Sequence, residues 1–113
     1  MKKQVVKRPW GWEDIFTLNE ISSVKILNVK PRQKFSLQKH KDRKEFWKIL
    51  DNPAKVTIGK KTFRAKCGDE FFIPKKTLHR VEALSKTVQV LEISFGKFDE
   101  KDIVRKEDDY GRV

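Results

Sequence analysis

The chain has 113 residues, and its 27 Lys and Arg outweigh 16 Asp and Glu for a formal net charge of +11. That length suits one domain spanning 1–113, and a 37% hydrophobic content with eight Phe and three Trp can fill a core. The lone Cys67 excludes an internal disulfide framework and a Cys-based zinc site, and no apolar run approaches the roughly 20 residues of a membrane span. No apolar stretch follows Met1-Lys2-Lys3-Gln4 either, so no signal peptide is expected and a soluble, cytoplasmic protein is. The surplus of cations favours anionic partners, with nucleic acid and a phosphorylated metabolite as the two candidates. Because the cations are scattered, with pairs such as Lys60-Lys61 and no longer tract, nucleic acid is the less expected of the two.

Short alternating or apolar runs separated by turn residues dominate the chain. Val24 to Val29 reads as a strand ended by Pro31, and Phe35 to His40 alternates into a charged turn at Lys41 to Lys44. Phe46 to Leu50 stops at Asp51-Asn52-Pro53. Lys55 to Ile58 then meets Gly59-Lys60, a two-residue hairpin candidate with Lys61 to Ala65 returning. Phe71 to Ile73, His79 to Ala83 and Thr87 to Ile93 complete the series. Such a rhythm predicts an all-β sandwich or barrel. The tail from Asp99 to Val113 is charged, and one helical turn before an extended end is expected there.

Both histidines lie in segments with metal-ligand character. In a strand, residues i and i+2 share a face, so Gln38, His40 and Asp42 point together. Glu45 opens the next strand on the face of Trp47 and Ile49, and His79 can approach from a neighbouring strand. Imidazoles with carboxylates suit a divalent ion such as zinc, manganese, iron, cobalt or nickel. Hydrogen-bonded fold histidines and a turn cap at Asp42 are the alternatives that spacing alone leaves open.

Gly68 to Ile73, Pro74, Lys76 and His79 resemble the second motif of the cupins, with Lys76 in place of its glycine. Asn52 stands where the first cupin motif ends in glycine, with six residues between it and Glu45. Further matches narrow the resemblance: Arg8-Pro9-Trp10-Gly11, Ser36-Leu37-Gln38-x-His40, Arg43-x-Glu45-x-Trp47, Ala54 to Gly59, Ile73-Pro74 to His79-Arg80, Asp102 to Arg105 and Glu107 to Arg112. Together they resemble the type II mannose-6-phosphate isomerase domain from about Arg8 to Arg112. The resemblance implies a double-stranded β-helix, or jelly-roll barrel, with a short irregular or helical C-terminal tail. In that family the domain commonly follows a mannose-1-phosphate guanylyltransferase domain. Only seven residues precede Arg8 here and no Gly-rich nucleotide loop occurs, so guanylyltransferase activity is not expected.

Two departures stand out. The family motif reads Gln-x-His-x-His-Arg-x-Glu-His-Trp, whereas this chain has Asp42 for the second His and Phe46 for the His before Trp47. Asp can ligate a metal and Phe cannot, so the implied ligands are His40, Asp42, Glu45 and His79. Two carboxylates in the set lean towards manganese, iron or magnesium over zinc, with cobalt still among the candidates. A required ligand at Phe46 would leave the site crippled.

The implied reaction moves a proton between C2 and C1 of mannose 6-phosphate through an enediol. It needs a phosphate grip, a polarised carbonyl and a base. Glu45 and Glu82 are the base candidates, and Arg112 matches a position that the family ties to catalysis. Arg80 is a candidate for the phosphate, with Gln38, Arg43 and Tyr110 as further substrate contacts. Trp10 and Trp12 are expected to pack the tail over the barrel mouth or to staple the terminus. Lys66, Lys75 and Lys76 would add positive field at the rim. The competing reading is a cupin that binds a sugar phosphate or nucleotide sugar without turnover, and a homodimer paired through edge strands is expected in either case.

Overall fold

Alternation along each strand decides which side chains enter the interior, and the computed structural model, which describes residues 3–113, carries this through eleven strands. In chain order they are β1 (Gln4–Arg8), β2 (Gly11–Ile15), β3 (Ser22–Val29), β4 (Leu37–Lys39), β5 (Lys44–Ile49) and β6 (Ala54–Ile58). Then follow β7 (Lys61–Ala65), β8 (Glu70–Ile73), β9 (His79–Ala83), β10 (Val88–Phe95) and β11 (Val104–Glu107). Four strands form one sheet in the order β3-β10-β5-β8, and five form a second in the order β11-β4-β9-β6-β7. β1 and β2 make a separate antiparallel hairpin. The fold is the all-β, two-sheet arrangement expected from the sequence.

The interior between the sheets is layered. On β5 the inward residues are Glu45, Trp47 and Ile49; on β10 they are Ser94, Glu92 and Val90, which pair with those three in turn. On the facing sheet His79, Val81 and Ala83 of β9 stand beside Ile58, Val56 and Ala54 of β6. One end of the barrel is therefore apolar, closed by Ile49, Ala54, Val56, Ala83, Val88 and Val90. The other end is polar. Full burial of each Val or Ile in the apolar half contributes about 1.5–3 kcal/mol, which leaves the polar end to be shaped by function.

Phe46 points the opposite way. It joins Ile93 and Phe95 in a cluster on the outer face of the four-stranded sheet, against Leu91 and Phe16, whose ring centroid lies 5.2 Å away. Phe16 follows the β1–β2 hairpin, which Lys3 also ties to the sheet through Glu70 at 2.8 Å. Trp10 and Trp12 are 72% and 64% exposed, so neither packs over a barrel mouth nor staples the hairpin to the core.

Two turns carry the geometry. Gly59 (φ +61°) opens the β6–β7 loop while Lys60 keeps negative φ, the requirement of a type II′ hairpin. Lys76, where the second cupin motif has glycine, adopts φ +60°. Its amide donates to the His40 carbonyl at 2.7 Å, which fastens the β8–β9 loop to the end of β4.

The tail corrects the expectation of a helical turn. Residues 99–103 form a turn, then β11 pairs antiparallel with β4, Val104 opposite Lys39 and Arg105 opposite Gln38. An exposed segment without an apolar helical stripe gains more from satisfying β4's free backbone edge than from a lone helical turn. Among the described residues no helix is long and apolar enough to cross a membrane.

Candidate metal and substrate site

At the polar end three side chains converge. His40, at the end of β4, Glu45 on β5 and His79 on β9 each offer a ligand atom, and these atoms lie within 4.8 Å of one another. His40 Nε2 is 3.7 Å and His79 Nε2 is 3.4 Å from the two Glu45 oxygens. Each imidazole is oriented through its other nitrogen. Nδ1–H of His40 donates to the Asp102 carbonyl at 2.6 Å, and Nδ1–H of His79 donates to the Thr77 carbonyl at 2.8 Å. Both Nε2 lone pairs consequently face the interior, the tautomer a metal ligand requires. Burial holds both rings neutral by lowering each pKa to about 4, with the nearby Arg43 acting in the same direction.

Arg43, only 8% exposed, reaches into the same space. Its Nη2 donates to His40 Nε2 at 3.0 Å and its Nε lies 3.3 Å from Glu45 Oε2, while the guanidinium stacks on Phe98 at 4.5 Å. Ser94 Oγ donates to Glu45 Oε2 at 3.4 Å. Even so, burial pushes the Glu45 carboxyl above its ordinary range against the pull of Arg43 and Ser94. A second buried carboxylate, Glu92, is raised to about 7 by burial and by the charge of Glu45. Several sealed polar atoms have no hydrogen-bond partner: Glu45 Oε1, His79 Nε2, Arg43 Nη1 and Trp47 Nε1. Unpaired acceptors and donors thus lie side by side in a buried space, where an ion or a polar ligand would satisfy them.

The model of the family described as mannose-6-phosphate isomerase C-terminal matches residues 1–108. The chain belongs to that family. Among its relatives, the mannose-1-phosphate guanylyltransferase RfbM of Salmonella typhimurium is 36% identical over 106 residues, covering 92% of this chain and 22% of the relative. The alginate biosynthesis protein AlgA of Pseudomonas aeruginosa is 37% identical over 110 residues, 96% of this chain and 23% of AlgA. This chain thus spans less than a quarter of the relatives it matches. A double-stranded β-helix protein from Klebsiella pneumoniae, 15% identical, superposes with a TM-score of 0.65 over 80% of this chain and 78% of that one. That likeness places the fold among the cupin-like barrels.

Against the mannose-6-phosphate isomerase motif, the structure divides the candidate residues. His40, Glu45 and His79 come together; Asp42 does not. Asp42 is exposed on the β4–β5 turn, its amide held by Asp102 Oδ2 at 2.9 Å, because the turn breaks the alternation that would aim it inward. Arg43 takes the interior place. Phe46, on the outer face, occupies no ligand position, so its departure from the family motif leaves the cluster intact. Gln38 shares the inward face, directly opposite His79, and accepts from Ser36 Oγ at 2.6 Å.

Arg80 and Glu82 alternate with the inward His79 and Val81 and so face away from the barrel interior. Arg80 donates to the Phe35 carbonyl and to Glu107, which clamps β11. Tyr110 donates to Gln33 and lines a separate surface groove of about 920 Å³ beside β3, while Arg112 makes a two-point pair with Asp108. Lys75 and Lys76 are exposed near His40, whereas Lys66 pairs with Asp69 in the turn bonded to Ile49, at the apolar end. Glu92 and Asp102 are functional-site neighbours that no ligand or base motif in the sequence singles out. A charged residue in the alternating run Val88-x-Val90-x-Glu92-x-Ser94 was the available signal for the first.

The donor set fits a divalent ion. One ligand atom from each of the three residues lies within 4.8 Å of the other two, close enough to share an ion with bonds of about 2.1 Å. Two otherwise orphaned atoms, Glu45 Oε1 and His79 Nε2, would gain a partner. Without Asp42 the set is two imidazoles and one carboxylate, softer than the four-ligand set the sequence implied.

Proposed function

We propose that this domain catalyses metal-assisted aldose–ketose isomerisation of a sugar phosphate, with mannose 6-phosphate the first substrate to test. The observation that carries the reading is the buried meeting of His40, Glu45 and His79 with unsatisfied donors on Arg43 and Trp47. His40, Glu45 and His79 would hold manganese, iron, cobalt or zinc; magnesium, which prefers oxygen, suits two imidazoles poorly. Such an ion supplies Lewis-acid polarisation of the sugar carbonyl. Arg43 directs its free Nη1 donors at oxygen atoms on the reacting end of the sugar, and Gln38 adds an amide on the same face. The apolar half of the barrel excludes water behind them. Exposed Lys75 and Lys76 add positive field for the dianionic phosphate outside.

A coupled assay on mannose 6-phosphate, run on chelator-stripped protein with a panel of divalent ions, tests this. Turnover is expected only with a bound ion. His79→Ala should lose both metal uptake and turnover while keeping its β-sheet circular dichroism. Absence of turnover with every ion overturns the reading.

One observation favours binding without turnover. The Arg43 guanidinium already engages two of the three ligand residues, His40 and Glu45, and could stand in for the ion's charge. In that case calorimetry detects sugar-phosphate or nucleotide-sugar binding by stripped protein and no uptake of metal.

A further inference from the structure

Glu92 lies beside the three candidate ligands without being one of them. It is on β10, two residues from Ser94, whose hydroxyl touches Glu45, and it points into the barrel on the same face. Its register partner on β5 is Trp47, which makes Glu45 its diagonal neighbour. Diagonal positions across an antiparallel pair stand about 7–8 Å apart, close enough for two carboxylates to reach one small molecule from adjacent points.

Glu92 is in no ion pair among the described residues, although the Trp47 indole N–H is directed at it and Lys25 and Arg43 pull its carboxyl down. Lys25, its register partner on the other side, lays its ammonium over the Phe98 ring at 3.8 Å. Arg43 gives its hydrogen bond to His40 and its closest carboxylate contact to Glu45. The residue is 7% exposed, so a trace of its surface is still reachable. A buried carboxylate between Val90 and Ser94 on its strand and opposite Trp47 is costly unless it has work to do.

We propose that Glu92 carries the proton between C2 and C1 of the open-chain sugar phosphate. This rests on the isomerase reading above. The Glu92 carboxylate takes the C2 proton, and the C2–H electron pair becomes the C1–C2 double bond as the carbonyl pair moves onto O1. The O2 proton passes to O1, and the O2 lone pair re-forms a carbonyl at C2. The double-bond pair then takes the proton back from the Glu92 carboxyl at C1. Atoms and electrons balance, and Glu92 ends as it began. Glu45, whose lone pairs would be engaged by a metal, is free for orientation only.

The test is Glu92→Gln, which keeps size and shape, assayed on mannose 6-phosphate with the ion that best supports wild-type turnover. General-base removal should lower kcat about 100-fold or more. KM and metal uptake should stay within about twofold. In D2O the variant should also stop exchanging the C2 proton, which a purely structural role would not abolish while binding persists. Glu92→Asp, with the carboxylate retained but set back, should recover part of both signals. A Glu92→Gln protein that turns over and exchanges at the wild-type rate overturns the assignment and leaves the isomerase reading standing. An inactive wild type overturns both, and that result is read before any variant is made.

Discussion

Glu92 and the two histidines respond to pH in opposite senses. The Glu92 carboxyl, raised to about 7 from 4.5, gives the fold stability that is fully present below pH 4.5 and is lost as pH rises through about 7. His40 and His79, lowered to about 4, give stability that is present above pH 6.5 and is lost as pH falls through about 4. Comparing chelator-stripped wild type with Glu92→Gln cancels the histidines. Urea melts should then show the variant gaining stability relative to wild type as pH climbs from 4.5 to 8. Phe46 carries a second test. Restoring the family residue by Phe46→His should cost about 2 kcal/mol, since it puts a polar ring among Phe16, Ile93 and Phe95. Metal titration should find no added affinity, because that side chain faces away from the ligands. Three of the four residues that the resemblance implied as ligands meet in the structure: strand alternation finds Glu45, and the two histidines announce themselves. Asp42 lies apart from them because alternation stops where a strand ends, and no spacing rule reveals that the turn hands the inward place to Arg43.

At the scale of strands and turns, the strongly alternating segments β5, β6, β9 and β10 were readable because burial on one face forces a period of two. β1 and β11 were not. Gln4-Val5-Val6-Lys7-Arg8 and Val104-Arg105-Lys106-Glu107 contain too few apolar residues to show a period, and both exist by pairing with a neighbour. Lys76 shows a local choice at odds with its backbone. An L residue in the left-handed region is strained by about 1 kcal/mol, so Lys76→Gly should raise stability by about 0.5–1 kcal/mol in thermal melts. Asp102, just before β11, has the opposite character. Its carboxylate accepts from the amides of Lys41 at 2.7 Å and Asp42 at 2.9 Å, and its carbonyl orients His40. Asp102→Ala should destabilise the domain by about 1–2 kcal/mol, by analogy with loss of a capping side chain. Calorimetry should record weaker metal binding as the His40 turn loosens.

The whole molecule is longer than a packed sphere. Its radius of gyration is 14.6 Å and its extents are 51 × 32 × 22 Å, against about 13 Å expected for a compact domain of this length. No residue of the β1–β2 hairpin is fully buried. Most of the stability therefore rests on the barrel, where a ligand acting at one end is felt throughout. An ion bound at 100 times its dissociation constant adds about 2.7 kcal/mol to the folded state. Differential scanning calorimetry should accordingly show a rise of about 10 °C in Tm on saturation with the preferred ion. The Asp102 carbonyl also has a consequence for synthesis. His40 depends on a hydrogen bond to a residue 62 positions downstream. A nascent chain leaving the ribosome can close the apolar half of its barrel before that carbonyl emerges. The chemically competent end is then the last part of the barrel to assemble, and the first to be undone by a protease that cuts between β10 and β11.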